Sequence, residues 1–353
     1  MCGRTWQLEA TVTGPPPYQI GCPLDGKPVI VTEVSEANIP KLNFNDLAAN
    51  GPLITELTEM KWPFWFKNFS ENVGTIKSGL NLNDCPRRKG AALIVGAGPS
   101  VHRNGHLKLI AKNRDKIGTL IATDKMLKPL LEHGAKPDFV ASVDGDPIIS
   151  KFYKLPKNLR GAQVDAVLDA VTCHPETLRE ARKNLNGKIY WFVHFVDNPQ
   201  ETRCPTCRRL STTAGFHFMS GDKLMMQAGG NVGALGWHLA SMLECTPIIL
   251  VGMDYSYLAD VPIEESMYYD SYVAMAGGDK AQAKNAFETR TNPYFRNQHN
   301  IDIVWHTYKN VLMSFIKAAH PKIITVNCTG GGSLYEDPIV SMELEEALAK
   351  FGT

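Results

Sequence analysis

From residue 90 onwards, short apolar runs alternate with polar segments of helical periodicity. Short runs rich in β-branched residues are typical of strands buried on both faces of a parallel sheet. This alternation predicts an α/β fold: a Rossmann-like, mostly parallel sheet with helices on both faces. The candidate strands lie at residues 91–95, 119–123, 139–143, 164–168, 189–193 and 247–251, and the candidate helices at 105–115, 125–133, 175–184 and 231–243.

Two regions of different character flank this core. Residues 1–88 are rich in proline, which removes a backbone donor and breaks long helices. We therefore expect an irregular N-terminal addition, with a short strand at 29–32 and no helical pattern longer than 47–60. Beyond the core, helical patterns at 301–319 and 340–351 and a strand pattern at 322–326 predict a mainly helical C-terminal extension that completes the core. The predicted domains are residues 1–88, 89–256 and 257–353.

An aromatic run, Trp62-Pro63-Phe64-Trp65-Phe66, stands near the end of the N-terminal region. So much adjacent apolar surface needs a partner. We favour packing of this run onto the following domain over contact with a ligand or a second subunit. The run is also compatible with a homo-oligomer.

Composition excludes several classes of protein. The 353 residues are 44% hydrophobic and carry 37 basic against 36 acidic side chains, a net charge of +1. A disordered chain would be less apolar, and a nucleic-acid-binding protein would be more basic. No apolar stretch predicts a membrane span, and the eight cysteines lack the spacing of a disulfide framework, so we expect a cytoplasmic protein. A structural zinc is not favoured at Cys204 and Cys207, because no second such pair exists.

The strongest local motif runs from Gly96 through Ala97, Gly98 and Pro99 to Ser100, directly after the first candidate strand. Glycines let a backbone approach a ligand closely, and amides at the start of the next helix can hold phosphate oxygens. The motif predicts phosphate or nucleotide contact. It does not predict a specific NAD site, because position 101 is Val rather than the third glycine of that fingerprint.

Two carboxylates, Asp144 and Asp146, follow the strand predicted at 139–143. The carboxyl edge of a parallel sheet is where α/β proteins bind ligands, and paired carboxylates there can hold Mg²⁺ against a di- or triphosphate. The alternative is a helix cap with a solvated acid, because Pro147 is suited to start a helix.

A third motif places Gly230 and Asn231 at a helix start and Asp254 just after the strand predicted at 247–251. A glycine-rich helix start can bind an anion, although close packing of small residues explains Gly233 equally well. His194 ends the strand predicted at 189–193 and is a candidate general base or phosphate-orienting group, or an ordinary edge residue.

Taken together, these motifs resemble the MptE-like 6-hydroxymethylpterin diphosphokinase family, which also includes the Maf, or motility-associated factor, glycosyltransferases. The resemblance covers residues 90–256 and rests on the blocks at 96–100, 121–124, 134–138, 142–144, 229–233 and 248–254. The last two blocks also resemble bacterial sialyltransferases that use CMP-sugars.

The resemblance implies a transferase that binds a nucleotide at the Gly96 loop and at Asp124, Gly230 and Asn231. The first activity that the resemblance implies is transfer of diphosphate from Mg·ATP to a hydroxymethylpterin-like acceptor, with Asp144 and Asp146 as metal ligands. The second is a glycosyltransferase that uses a CMP-activated nonulosonic acid and needs no metal. The third is a non-catalytic nucleotide-binding protein. Asp144, His194 and Asp254 are the candidate catalytic residues.

Overall fold

The computed structural model describes residues 18–21, 28–31, 52–197 and 211–352, with side chains from residue 61 onwards. The Cys204 and Cys207 pair lies outside the described residues. None of the described helices combines the length and the apolar character needed to cross a membrane.

Ten strands of the described chain form one sheet in which every pair of neighbours is parallel, as the apolar runs predict. The strands are β3 Leu80–Asn81, β4 Ala92–Val95, β5 Thr119–Thr123, β6 Phe139–Ser142, β7 Asp165–Asp169, β8 Ile189–His194, β9 Leu224–Met226, β10 Ile248–Val251, β14 Thr325–Asn327 and β15 Val340–Ser341. Their order in the sheet is β15-β14-β10-β4-β5-β6-β7-β8-β3, and β9 lies beside the second half of β8.

Helices cover both faces of this sheet. They are α1 Pro52–Ser78, α2 Ser100–Arg103, α3 His106–Lys112, α4 Asp124–Glu132, α5 Ser150–Tyr153, α6 Pro175–Asn184, α7 Thr212–Met219, α8 Val232–Met242, α9 Tyr269–Met275, α10 Lys280–Ala283, α11 Ile303–Ala319 and α12 Leu344–Phe351. The two faces alternate along β4: Ile94 packs with α8 and α11, whereas Leu93 packs with α3, α4 and α12. The predicted doubly covered sheet is confirmed.

Two small antiparallel sheets complete the described fold. One is the hairpin of β1 Tyr18–Gly21 and β2 Pro28–Val31, close to the strand predicted at 29–32. The other has the order β11-β13-β12, from β11 Tyr257–Leu258, β12 Phe287–Thr291 and β13 Gln298–Asp302. The C-terminal region thus combines the predicted helices with this sheet and two parallel strands, of which β14 overlaps the strand predicted at 322–326. The three-domain division stays a prediction.

Helix α1 corrects the expectation of irregular structure before residue 88. It continues through Pro63 to Ser78, where the proline pattern predicted no helix beyond residue 60. A proline forfeits one helical hydrogen bond, and burial of Trp65, Phe69 and Ile76 along one stripe of the helix compensates. The aromatic run packs onto the core as predicted: Trp62 stacks on Phe216 with ring centroids 5.9 Å apart.

Buried asparagines of α1 make hydrogen bonds to two loops at the carboxyl edge of the sheet. The Asn68 amide donates to the carbonyl of Gly145, after β6, at 3.1 Å and to that of Thr172, after β7, at 2.8 Å. Asn72 donates to the carbonyl of Cys173 at 2.8 Å. Helix α1 thus fixes the backbone that carries Asp144, although it precedes the predicted core in sequence.

We expect Asn68→Ala to lower the free energy of unfolding by about 1–3 kcal/mol, because two buried carbonyls lose their donor. Urea unfolding followed by circular dichroism measures this. Ser70→Ala on the exposed side of the same helix is the matched control and should change little. Equal stability of the two variants would contradict the role assigned to Asn68.

Candidate functional site

The order of strands reverses at β4: β5 to β8 follow on one side, and β10, β14 and β15 lie on the other. In open α/β sheets, such a reversal opens a crevice at the carboxyl ends of the strands, and ligands bind there. The loop after β4 carries Gly96 to Ser100, and the loop after β10 carries Asp254. Two of the three sequence motifs therefore meet at this point.

The Gly96 loop is bonded to the end of β10. The Gly96 amide donates to the Val251 carbonyl at 2.8 Å, and the Gly98 amide donates to the Gly252 carbonyl at 2.9 Å. The Ser100 hydroxyl donates to the Asp254 carboxylate at 2.8 Å. Both glycine amides are thus engaged within the protein, so phosphate binding cannot depend on them as the sequence suggested.

Close packing explains why these positions are glycines. A Cβ on Gly98 would lie 1.9 Å from Oδ2 of Asp254, and a Cβ on Gly96 would lie 2.4 Å from the Gly252 carbonyl oxygen. Asp254 is buried, and this burial raises its pKa from 3.8 to about 6 against the opposing effect of Ser100. Its carboxylate holds the loop in place, and Gly98 covers it.

The N-terminus of α8 lies at the same edge, because this helix begins where β9 has reached the carboxyl side of the sheet. Asn231 caps the helix by accepting from the Ala234 amide at 3.0 Å, and the Tyr255 hydroxyl donates to the same Asn231 oxygen at 3.0 Å. The amides of Val232 and Gly233 have no partner among the described residues. Free amides at the start of an eleven-residue helix favour an anion.

Four aromatic side chains form a wall beside this helix start: Tyr255, Tyr268, Trp305 and Tyr308. Trp305 contacts the other three at ring distances of 5.9–6.2 Å. A Cβ on Gly230 would lie 2.5 Å from the Tyr308 ring, which places this wall directly against the α8 loop. Sequence reasoning missed the wall. The available signal was Trp305 and Tyr308, three residues apart on a predicted helix.

Two carboxyl groups at the carboxyl edge follow β5 and β6. Asp124 is buried and accepts from the Lys125 amide at 2.7 Å and the Ser142 hydroxyl at 3.0 Å, and burial raises its pKa to about 6. Asp144 is exposed, and its charge contributes to raising the pKa of Tyr308, after the larger effect of burial. Tyr308 therefore lies against the α8 loop and is within reach of the charge of Asp144.

Asp146 has the capping role that the sequence offered as the alternative to metal binding. Its Oδ1 accepts from the Ile148 amide at 2.8 Å, at the start of a short 3₁₀ helix, and its own amide donates to Asp144 at 3.1 Å. The described residues contain no group of three His, Cys, Asp or Glu side chains placed to hold a metal. The exposed Asp144 carboxylate suits Mg²⁺ that takes its other ligands from phosphates and water.

His194 lies at the same edge but not beside the Gly96 loop. It ends β8, four strands from β4 and so about 19 Å away, and β6 with Asp144 lies midway. Its Nδ1 is 2.5 Å from Oδ2 of Asp169, the last residue of β7. Sequence reasoning missed Asp169, although it directly follows an apolar run.

Comparison with known proteins agrees with this architecture. A family model described as "6-hydroxymethylpterin diphosphokinase MptE-like" matches residues 66–260, more than half of the chain. None of the curated proteins matches. Among solved structures, the MAf glycosyltransferase from Magnetospirillum magneticum AMB-1 is similar with a TM-score of 0.55 over 78% of this chain. The match spans 38% of that protein's length, and at 15% sequence identity it shows a shared fold and nothing more.

We expect Gly98→Ala to lower the free energy of unfolding by at least about 1–3 kcal/mol, because the added Cβ overlaps the Asp254 carboxylate. Denaturant titration measures the change. Gly74→Ala is the control: its Cβ would meet nothing within 4 Å, and alanine favours a helix, so this variant should be neutral or stabilised. An undiminished stability of Gly98→Ala would refute the contact.

Asp124→Asn should stabilise the protein at pH 8 but not at pH 4. Because the folded-state pKa of Asp124 is raised from 3.8 to about 6, the stability gained from its neutral form is complete below pH 3.8 and is lost as pH rises through 6. This rise in the pKa of Asp124 corresponds to a loss of about 3 kcal/mol in the free energy of unfolding between low and high pH. Urea unfolding across this pH range tests it, with exposed Asp115→Asn as the control; a pH-independent difference would argue against it.

Proposed function

The chain belongs to the MptE-like family, and we propose that it is a nucleotide-dependent transferase that acts at the carboxyl edge of its parallel sheet. The leading reaction is transfer of diphosphate from Mg·ATP to a hydroxymethylpterin-like acceptor. One observation carries the proposal: Tyr308 lies against Gly230 at the start of α8, and the charge of Asp144 contributes to raising the pKa of the same tyrosine. An anion-binding helix end and a metal-binding carboxylate thus face one ligand space.

The nucleotide occupies the side of the edge near β4 and β10. Its phosphates lie at the start of α8, where the Val232 and Gly233 amides and the helix dipole offer positive potential. The Gly96 loop and Asp124 line the neighbouring part of the nucleotide site. The base packs on the aromatic wall, which includes Trp305 and Tyr308, since aromatic rings stack on nucleobases irrespective of sequence.

Asp144 holds Mg²⁺, with Asp146 in support through the carboxylate oxygen that does not cap the 3₁₀ helix. Bound Mg²⁺ neutralises charge on the phosphate oxygens. Catalysis of phosphoryl transfer rests mainly on such positioning and charge neutralisation, so the protein needs few reacting groups of its own.

In the transfer, the acceptor hydroxyl oxygen bonds to the β-phosphorus, the bond between that phosphorus and the AMP oxygen breaks, and AMP leaves. The hydroxyl proton passes to a base. Of the two candidates, His194 suits this better than Asp254, because the Asp254 carboxylate is covered by Gly98 and bonded to Ser100.

Glycosyl transfer from a CMP-activated nonulosonic acid is the second candidate, and the fold similarity to the MAf glycosyltransferase favours it. The helix start and the aromatic wall would serve a cytidine nucleotide equally well. A non-catalytic nucleotide-binding protein is the third. Turnover assays with ATP and with a CMP-sugar, each with and without EDTA, separate them: metal-independent turnover of the CMP-sugar would reject the diphosphokinase reading, and absence of any turnover despite nucleotide binding would support the third.

We expect Asp144→Asn to weaken Mg²⁺-dependent ATP binding by at least about tenfold, because a neutral amide replaces the charged metal ligand. Isothermal titration with ATP at several magnesium concentrations measures this. Asp115→Asn is the matched control, since this exposed carboxylate lies in the turn before β5, away from the carboxyl edge, and the variant should bind as wild type. If magnesium dependence were the same in both variants, Asp144 would not be the metal ligand.

A further inference from the structure

The pair of His194 and Asp169 stands apart from the nucleotide side of the edge. Both residues end their strands, β8 and β7, and both are buried, with Asp169 fully so. The Asp169 carboxylate accepts from the Val171 amide at 3.1 Å and from Nδ1 of His194 at 2.5 Å. The Thr172 hydroxyl shares its single proton between this carboxylate at 3.0 Å and the Val143 carbonyl at 2.7 Å. The N–H donors that converge on Asp169 fit a carboxylate that acts as an acceptor.

This arrangement determines which ring nitrogen of His194 can react. Because Asp169 only accepts, the proton of a neutral imidazole stays on Nδ1, and the lone pair is on Nε2. Among the described residues, Nε2 has no hydrogen-bond partner, and it is not one of the fully enclosed polar atoms. A nitrogen with a free lone pair, held in one tautomer by a buried carboxylate, is suited to accept a proton.

Trp65 of α1 connects this pair to the Asp144 loop. Its ring stands at 90° to the His194 ring with centroids 5.5 Å apart. On its other side, a Cβ on Gly145, next to Asp144, would lie 3.1 Å from the indole. The indole Nε1 is buried and has no hydrogen-bond partner among the described residues. The enclosed indole therefore packs between the His194 ring and the backbone of the Asp144 loop.

We propose that His194, Asp169 and Trp65 form the acceptor subsite, in which a hydroxyl-bearing heteroaromatic acceptor gives its proton to His194. This inference rests on the proposed function and adds its acceptor side. The hydroxyl oxygen uses a lone pair to bond to the phosphorus of the donor nucleotide, its proton moves to Nε2, and the nucleotide leaves with the electrons of the broken bond. His194 is the catalytic residue, Asp169 a positioning residue that stabilises the imidazolium, and Trp65 packs against the His194 ring.

The test compares His194→Gln and Asp169→Asn with His174→Gln, a nearby histidine that caps α6 and has no carboxylate partner. We expect His194→Gln to lower kcat by about 10²–10⁴-fold with ATP affinity unchanged. Asp169→Asn should lower kcat by at least about tenfold and change the acid limb of the pH–rate profile, whereas His174→Gln should change neither. Near-UV circular dichroism checks that each variant is folded. A folded His194→Gln enzyme with kcat within threefold of wild type would overturn the proposal.

A second measurement does not depend on turnover and so separates failure of the subsite from failure of the proposed function. The ¹⁵N resonances of His194 are followed while 6-hydroxymethylpterin is added to the full-length protein. We expect Nε2 to shift with saturation, and Trp65→Phe to weaken this binding by several fold. If Nε2 shifts but no donor is turned over, the subsite stands and the proposed reaction is wrong. If Nε2 does not shift, the subsite is rejected whatever the enzyme catalyses.

Discussion

The contact between the loops after β4 and β10 is the constraint on which the rest of the edge depends. Two main-chain hydrogen bonds join Gly96 and Gly98 to β10, and the buried Asp254 carboxylate accepts from Ser100. Because the sheet reverses its order here, the two strands share no helical connection that could hold their ends together. Glycine backbone and one buried carboxyl perform that task. The same loop conformation positions Met253 between Gly96 and Gly233, and so places the start of α8.

From this contact, the carboxyl edge divides into three zones along the strand order. The start of α8 and the aromatic wall lie near β4 and β10, Asp144 follows β6, and the pair of Asp169 and His194 ends β7 and β8. The net charge of +1 offers no broad basic surface to attract anions. In the proposed function, phosphate affinity would therefore come from helix amides and a metal at Asp144, both of which act at short range.

Helix α1 shows how an element outside the predicted core becomes part of the site. Its buried stripe packs under the loops after β6 and β7, and Asn68 binds the carbonyls of both. Trp65 from the same stripe separates the Asp144 loop from His194. The positions of Asp144 and of His194 are thus set relative to each other by one helix, and the match to the family begins within that helix, at residue 66.

The sequence by itself determined the parallel sheet, its six central strands and the motifs at their carboxyl ends, because burial on both faces demands continuous apolar runs that any reading of the chain detects. It did not determine the course of α1, where the local penalty of Pro63 was outweighed by distant burial. It also did not reveal that Gly96 and Gly98 are packed against the residues that follow β10. Only the tertiary structure paired His194 with Asp169 and brought Tyr308 to Gly230, since such contacts join residues far apart in sequence and depend on the order of the strands.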